Sequence, residues 1–339
     1  MSGQDKKELQ ALHRKSPRTL IEAAISITLF FLLLATSIIA WEFGYWPLTI
    51  LCWVVHGHIG HTNLLAFHEA SHYTLHPRRF ANEFQGIALG SLILTPLSAY
   101  RWVHNQHHRH LGRSSDSEFW PFTNPAMPRG WRILAAFAEL FLGFFYTPIL
   151  FLRGVLVAEQ MPSSLRKRLL VEYGLAVLLW TTIVGTVAAF ELGSWFLIGY
   201  LVPVFLAGNL QSVRKFTEHM GLLGSTTDTN TRSVIDKTLL GRFLSVTILH
   251  IDYHGPHHQY AKIPHYNLPA AAKLLGTAQR CQIENEHVYR HYPHAIWDML
   301  KTLANPRVGP QWLEPKTTVQ EIETHLQPQS QPALESAGV

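Results

Sequence analysis

Leu20 to Trp41 is an apolar run about as long as a bilayer core is thick, once it is helical. A turn at Gly44–Pro47 ends it, and a second run, Leu48 to Phe67, follows. A second pair, Leu169–Phe190 and Trp195–Leu210, is joined by Glu191–Ser194, with Pro203 as a kink point. This pattern predicts four transmembrane helices in two hairpins. Residues 84–100 are short and broken by Pro96, and residues 133–157 carry Pro148 and Arg153, so both are expected to lie in the interface. Charged residues make up only 15% of the chain, against about 25% in soluble domains, which fits a surface facing lipid. The expected fold class is an all-α integral membrane protein: two hairpins, interfacial helices and a cytoplasmic helical cap.

Charge sets the expected orientation. The two hairpin turns contain no Lys or Arg, whereas the N-terminus, residues 78–132, residues 153–168 and Arg214–Lys215 are basic. The positive-inside rule then places both termini in the cytoplasm. The net charge of +5 suits an anionic membrane surface better than nucleic acid. Two cysteines, Cys52 and Cys281, build neither a disulfide framework nor a thiolate metal site. Residues 1–18 read as a cytoplasmic segment, 19–314 as one membrane domain, and 315–339 as a disordered tail.

Histidine is the anomaly, with 21 copies. His68 and His72 have the spacing HxxxH. His104, His107 and His108 form HxxHH, and His254, His257 and His258 form it again. His219 stands alone just past the last span. On a helix, positions i, i+3 and i+4 share a face, so each box aims its imidazoles at one point. Gly255-Pro256 puts the third box at a turn leading into a helix. Every box leaves or follows a cytoplasmic helix end, so nine imidazoles can gather at one depth. Nine ligands are too many for one ion and suit two; nitrogen donors fit Fe, Cu, Ni or Zn.

With these boxes in view, residues 45–275 resemble the membrane fatty acid desaturase superfamily. His107-His108-Arg109-His110-Leu111-Gly112 is similar to its HHrxLG stretch. Tyr253-His254-Gly255-Pro256-His257-His258, followed by Ile263-Pro264 and Leu268-Pro269, resembles YHxxHHxxPxIPxxxLP; Ala261 stands where many members have proline. Thr231-Arg232-Ser233 is similar to the TR(T/S) stretch before that box. The resemblance implies a di-iron centre held by His68, His72, His104, His107, His108, His254, His257 and His258, with His219 matching an extra histidine of many members. It also implies O2 as co-substrate, a lipid or fatty acyl substrate, and electrons from a separate ferredoxin or cytochrome b5-type donor with its reductase. Desaturation is the expected reaction; hydroxylation and decarboxylation of a free fatty acid to a terminal alkene use the same kind of site.

Other readings stand beside this one. His68-Glu69-Ala70-Ser71-His72 also fits HExxH, in which two histidines hold zinc and the glutamate is a protease's general base. That reading leaves two HxxHH boxes unused. His56, His58 and His61 are expected to serve helix packing or to support the ligands from behind. His110, His250 and His265 read as surface groups or supports. Asp116, Glu118, Glu218 and Asp252 are placed to accept a ligand's second N–H. Arg101, Arg109 and Arg113 read as positive-inside charges or as head-group contacts.

Overall fold

A computed structural model describes residues 3–158, 161–277 and 287–313. The expected tail, 315–339, and Cys281 lie outside the described residues. The described chain is helical apart from one two-residue parallel pairing, Ser233–Val234 with Val288–Tyr289.

Helix α1 (Gly3–Ala11) precedes α2 (Thr19–Glu42), which turns at Gly44, φ 71°, into α3 (Trp46–Ser71). Next come α4 (Arg79–Leu92), α5 (Leu97–Arg109) and α6 (Arg129–Leu156). Helices α7 (Ser163–Ala189) and α8 (Gly193–His219) form the second hairpin. Short helices α9 (Leu239–Thr247), α10 (His254–Gln259), α11 (Leu268–Leu274) and α12 (Tyr292–Thr302) complete the chain.

Four described helices are long and apolar enough to cross a membrane: α2, α6, α7 and α8. Two of these assignments differ from the sequence reading. Residues 133–157, expected in the interface, belong to α6, long and apolar enough by composition, but its 28 residues are two helices joined at a kink at Leu142 (φ −127°, ψ 30°), with Pro148 in the second. The expected second span, 48–67, lies in α3. That helix has 26 residues, but His56, His58 and His61 dilute its apolarity. It nevertheless runs back along α2 and packs on α8, and its Leu48, Ile50, Leu51, Val54 and Val55 are exposed. The two hairpin turns lie at one end of the molecule, where Trp195 Nε1 donates to Glu42 Oε1 at 2.9 Å.

Helix approach is set by small residues. A Cβ on Gly208 of α8 would stand 2.6 Å from the Phe144 backbone nitrogen of α6, and one on Gly143 would stand 2.6 Å from the Gly208 carbonyl oxygen. At the opposite end to the turns, α1 packs on α11. Its Leu9 is buried against Ile263, Leu268 and Ala271, so the N-terminus clasps the stretch that follows the third histidine box.

Candidate metal centre

The three boxes converge because their helix ends are tied together. Box one closes α3: His72 caps its C-terminus just before a reversal, and Tyr73 takes a left-handed conformation, φ 62°. Thr74 N–H reaches back to the Glu69 carbonyl at 3.1 Å, which satisfies one of the helix's orphan acceptors. Arg101 of α5 satisfies two more. It donates from Nη2 to Ala70 O (2.9 Å) and from Nε to Ser71 O (3.0 Å), and it lies 4.0 Å over the Tyr73 ring. One turn earlier, the N-terminus of α5 is capped from α7, where Glu172 accepts from Ser98 N (2.8 Å) and Ser98 Oγ (2.6 Å). Box two therefore sits on a helix whose first turns are tied to both α3 and α7, which holds it in register with box one. Box three opens α10, and His219 is the last residue of α8.

All nine predicted histidines meet. His68, His72, His104, His108 and His257 offer ligand atoms within 4.8 Å of one another, as do His107, His219 and His258, with His254 joined to the second group through His219. Seven of the nine residues are buried, His108 and His258 partly so. Tautomers follow from the outer partners. His104 Nδ1–H donates to Glu118 (2.7 Å), His107 Nδ1–H to Asp116 (2.8 Å) and His219 Nδ1–H to the Asn230 carbonyl (2.9 Å). Each of these rings thus turns an Nε2 lone pair inward. His104 Nε2 lies 3.1 Å from the Nε2 of both His72 and His108, and His219 Nε2 lies 2.7 Å from that of His254. Nitrogens about 2.1 Å from a shared cation at near right angles stand ~3 Å apart, so these spacings match the edges of coordination polyhedra. Both ring nitrogens of His257 and of His258 are buried without a hydrogen-bond partner among the described residues. Such groups are costly to bury unless something else satisfies them, and a pair of cations would.

Electrostatics agree with metal binding. Burial pushes His72, His108, His254, His257 and His258 well below the ordinary imidazole range, keeping them in the neutral form that ligates. For His107, burial pulls downward, but the carboxylates of Asp116 and Glu118 outweigh it and the net shift is upward. Burial would raise Glu118, yet His104 and His107 beside it hold its carboxyl well below the usual range.

The supporting carboxylates divide. Asp116 and Glu118 hold ligand N–H groups as expected, and Glu218 Oε1 lies 3.3 Å from His254 Nδ1. Asp252 does not; it accepts instead from Ser245 Oγ at 2.8 Å. Arg214 and Lys215, counted from the sequence as cytoplasmic surface charge, are buried. Arg214 pairs with Glu218, and Lys215 Nζ donates to Glu139 Oε1 (2.6 Å) and to the Glu118 carbonyl (3.0 Å). They serve the site's scaffold and carry no information on sidedness. His56 packs edge-on to Phe30 at 4.4 Å, and His58 Nε2 meets Thr247 Oγ1 at 2.9 Å, so both serve packing. His250 and His265 bond to Ser245 and Glu22. Neither belongs to the two groups.

Glu69 bears on the zinc-protease reading. Its Oε2 accepts from Thr74 Oγ1 (2.8 Å) and from the His265 backbone N–H (3.1 Å). A carboxylate committed to those two donors braces the helix end and is not placed as a general base. The sequence model of the family described as fatty acid desaturase matches residues 43–281. The chain belongs to the fatty acid desaturase family. No curated protein matches it closely enough to add a nearer relative. Family membership makes this an oxidoreductase of membrane lipid with a histidine-rich metal site.

This desaturase-family chain also has a cavity of about 310 Å³ between α2, α3, α4, α6 and α8. Its walls are mostly apolar, with Phe30, Leu64, Leu89, Phe144 and Val204 among them. None of the nine histidines lines it; Phe67, next to His68, and Tyr100, whose ring stacks on His104 with centroids 5.1 Å apart, form its wall on that side.

Proposed function

We propose that this protein is a membrane di-iron, O2-dependent enzyme that desaturates a fatty acyl or related lipid chain. The observation that carries the reading is the meeting of nine imidazoles, five in one group and three in another with His254 joined through His219, beside an apolar cavity that Phe67 and Tyr100 line. His68, His72, His104, His108 and His257 would hold one iron, and His107, His219, His254 and His258 the other. When bound, the iron pair supplies reductive activation of O2 against an unactivated C–H bond. In desaturation, two hydrogens leave adjacent carbons, and O2 with two electrons and two protons becomes two waters. The electrons come from a separate ferredoxin or cytochrome b5-type protein and its reductase.

The chain's own residues do the rest. Asp116, Glu118 and Glu218 fix ring orientation and raise ligand basicity. The apolar cavity takes the tail, excludes water and sets which methylene lies beside the histidines, so position selects the carbon. Tyr100 and Phe67 form the boundary between hydrocarbon and metal site. Residues 19–314 act as one membrane domain with residues 1–18 as its N-terminal segment. The termini and the metal site are assigned to the cytoplasmic side. The basic N-terminus, residues 78–132 and residues 153–168 support this, with Arg214 and Lys215 removed from the count.

Lipid and volatile profiling of cells expressing the chain, against a His254→Ala control, tests the reaction. New unsaturated chains that the control lacks are the expected result. Alcohols or shortened terminal alkenes in their place would assign hydroxylation or decarboxylation instead, and matching profiles across many substrates would count against oxidation altogether.

A further inference from the structure

Helix α9 exposes Leu239 (86%), Leu240 (67%), Phe243 (64%), Leu244 and Val246 (55%). Five of its nine residues are thus large, apolar and uncovered, which is unusual for a segment outside the spans. Its position explains them. Thr247, at its C-terminus, is bound to α3 at two residues one turn apart: His58 Nε2 lies 2.9 Å from Thr247 Oγ1, and Thr62 Oγ1 donates to the Thr247 carbonyl at 2.6 Å. With a rise of about 1.5 Å per residue, those contacts lie roughly 9 Å and 15 Å along α3 from His68, toward the hairpin turn. About one turn further toward the hairpin turn, Val54 (58%) and Val55 face outward.

The flanking chain fits a descent and a return. Before α9, the segment is held near the metal site: Val234 pairs in the short strand, and Asp236 accepts from His291 Nδ1 at 2.8 Å. Thr238 caps the helix by accepting from Gly241 N. After α9, Leu249 and His250 both take left-handed conformations, φ 51° and 50°, which reverses the chain in a few residues. Ile248, Leu249 and Ile251 then pack on Leu65 of α3, and the chain arrives at His254. The exposed Arg242 lies about 4.5 Å beyond Leu239, near enough to the shallow end for its stem to lie in apolar surroundings while its head reaches water.

We propose that α9 is a re-entrant membrane helix: it dips beside α3 into the bilayer, and lipid acyl chains cover Leu239, Leu240, Phe243 and Val246. The segment that delivers the third histidine box is thereby anchored in lipid. Continuity with the outward-facing apolar residues of α3 favours lipid over a second protein as the occupant.

Bimane attached at Phe243→Cys, with Cys52 and Cys281 replaced, tests this in lipid nanodiscs, alongside Leu51→Cys on α3 and Lys237→Cys before α9. Position 243 is expected to be quenched by acyl-brominated lipid as strongly as position 51, and to be shielded from aqueous iodide that quenches position 237. Iodide quenching at 243 equal to that at 237 would overturn the proposal. So would protection from both quenchers, which would make a protein the occupant. The unmodified chain gives an independent reading with a diazirine phospholipid. Label on residues 239–246 as on 50–55 is expected; label on 50–55 alone contradicts it.

Discussion

Glu118 shows how much of this site depends on residues that never touch metal. Its carboxylate fixes the tautomer of His104, whose Nε2 lies beside the Nε2 of both His72 and His108. Glu118→Gln removes the charge and can leave the wrong group facing Nδ1, so metal affinity is expected to fall by about 10–100-fold. Iron retained after dialysis against a graded chelator measures this. Glu69→Gln is the contrasting change. Since Glu69 serves Thr74 and the His265 backbone, the amide should keep both iron content and lipid oxidation near wild type, whereas His107→Ala should lose both. A protease would show the reverse order, read by the same metal assay and by product analysis. At this scale the ligands were legible, because i, i+3, i+4 spacing is a local property. Their supports were legible only in part. The i,i+4 pairing of Arg214 with Glu218 can be read from sequence, but the Lys215–Glu139 pair spans 76 positions and cannot. Hence two buried cations passed for surface charge.

Helix ends, not helix middles, carry the assembly. Arg101 joins the carbonyls closing α3 to Glu83, which also receives Arg168 from α7. One guanidinium thus couples boxes one and two to the second hairpin. Arg101→Met leaves Glu83 to Arg168 alone and strands the Ser71 carbonyl, and a loss of about 1–3 kcal/mol is expected for the unmet acceptor. Thermal unfolding in detergent, read together with iron content, checks it; the exposed Arg109→Ala should change neither. The helices themselves were predicted well where apolar runs were pure, as in α2 and α7. The reading was weaker where one residue type served two ends. In α3, histidines needed for packing lower the hydropathy of a helix that still follows α2. In α6, Pro148 and Arg153 suggested a surface element; its 28 residues are two helices joined at Leu142, and Arg153 near its far end lies 3.7 Å over the Trp120 ring. Helix α9 went unnoticed because nine residues are too few to register as a membrane segment.

The whole molecule is a helical bundle with an apolar cavity beside a cluster of nine imidazoles, and its chemistry rests on how many cations that cluster holds. The boxes announced convergence; only the fold could show that five imidazoles group together and three others apart, with His254 joined through His219, since that depends on where α5 and α10 meet across more than 140 residues of chain. Metal analysis of the purified protein, with Mössbauer spectra of an iron-57 sample, tests the point most directly. Two irons per chain with the signature of a coupled pair is the predicted result, falling in His257→Ala and in His219→Ala alike. A single bound ion, or zinc in place of iron, would contradict it.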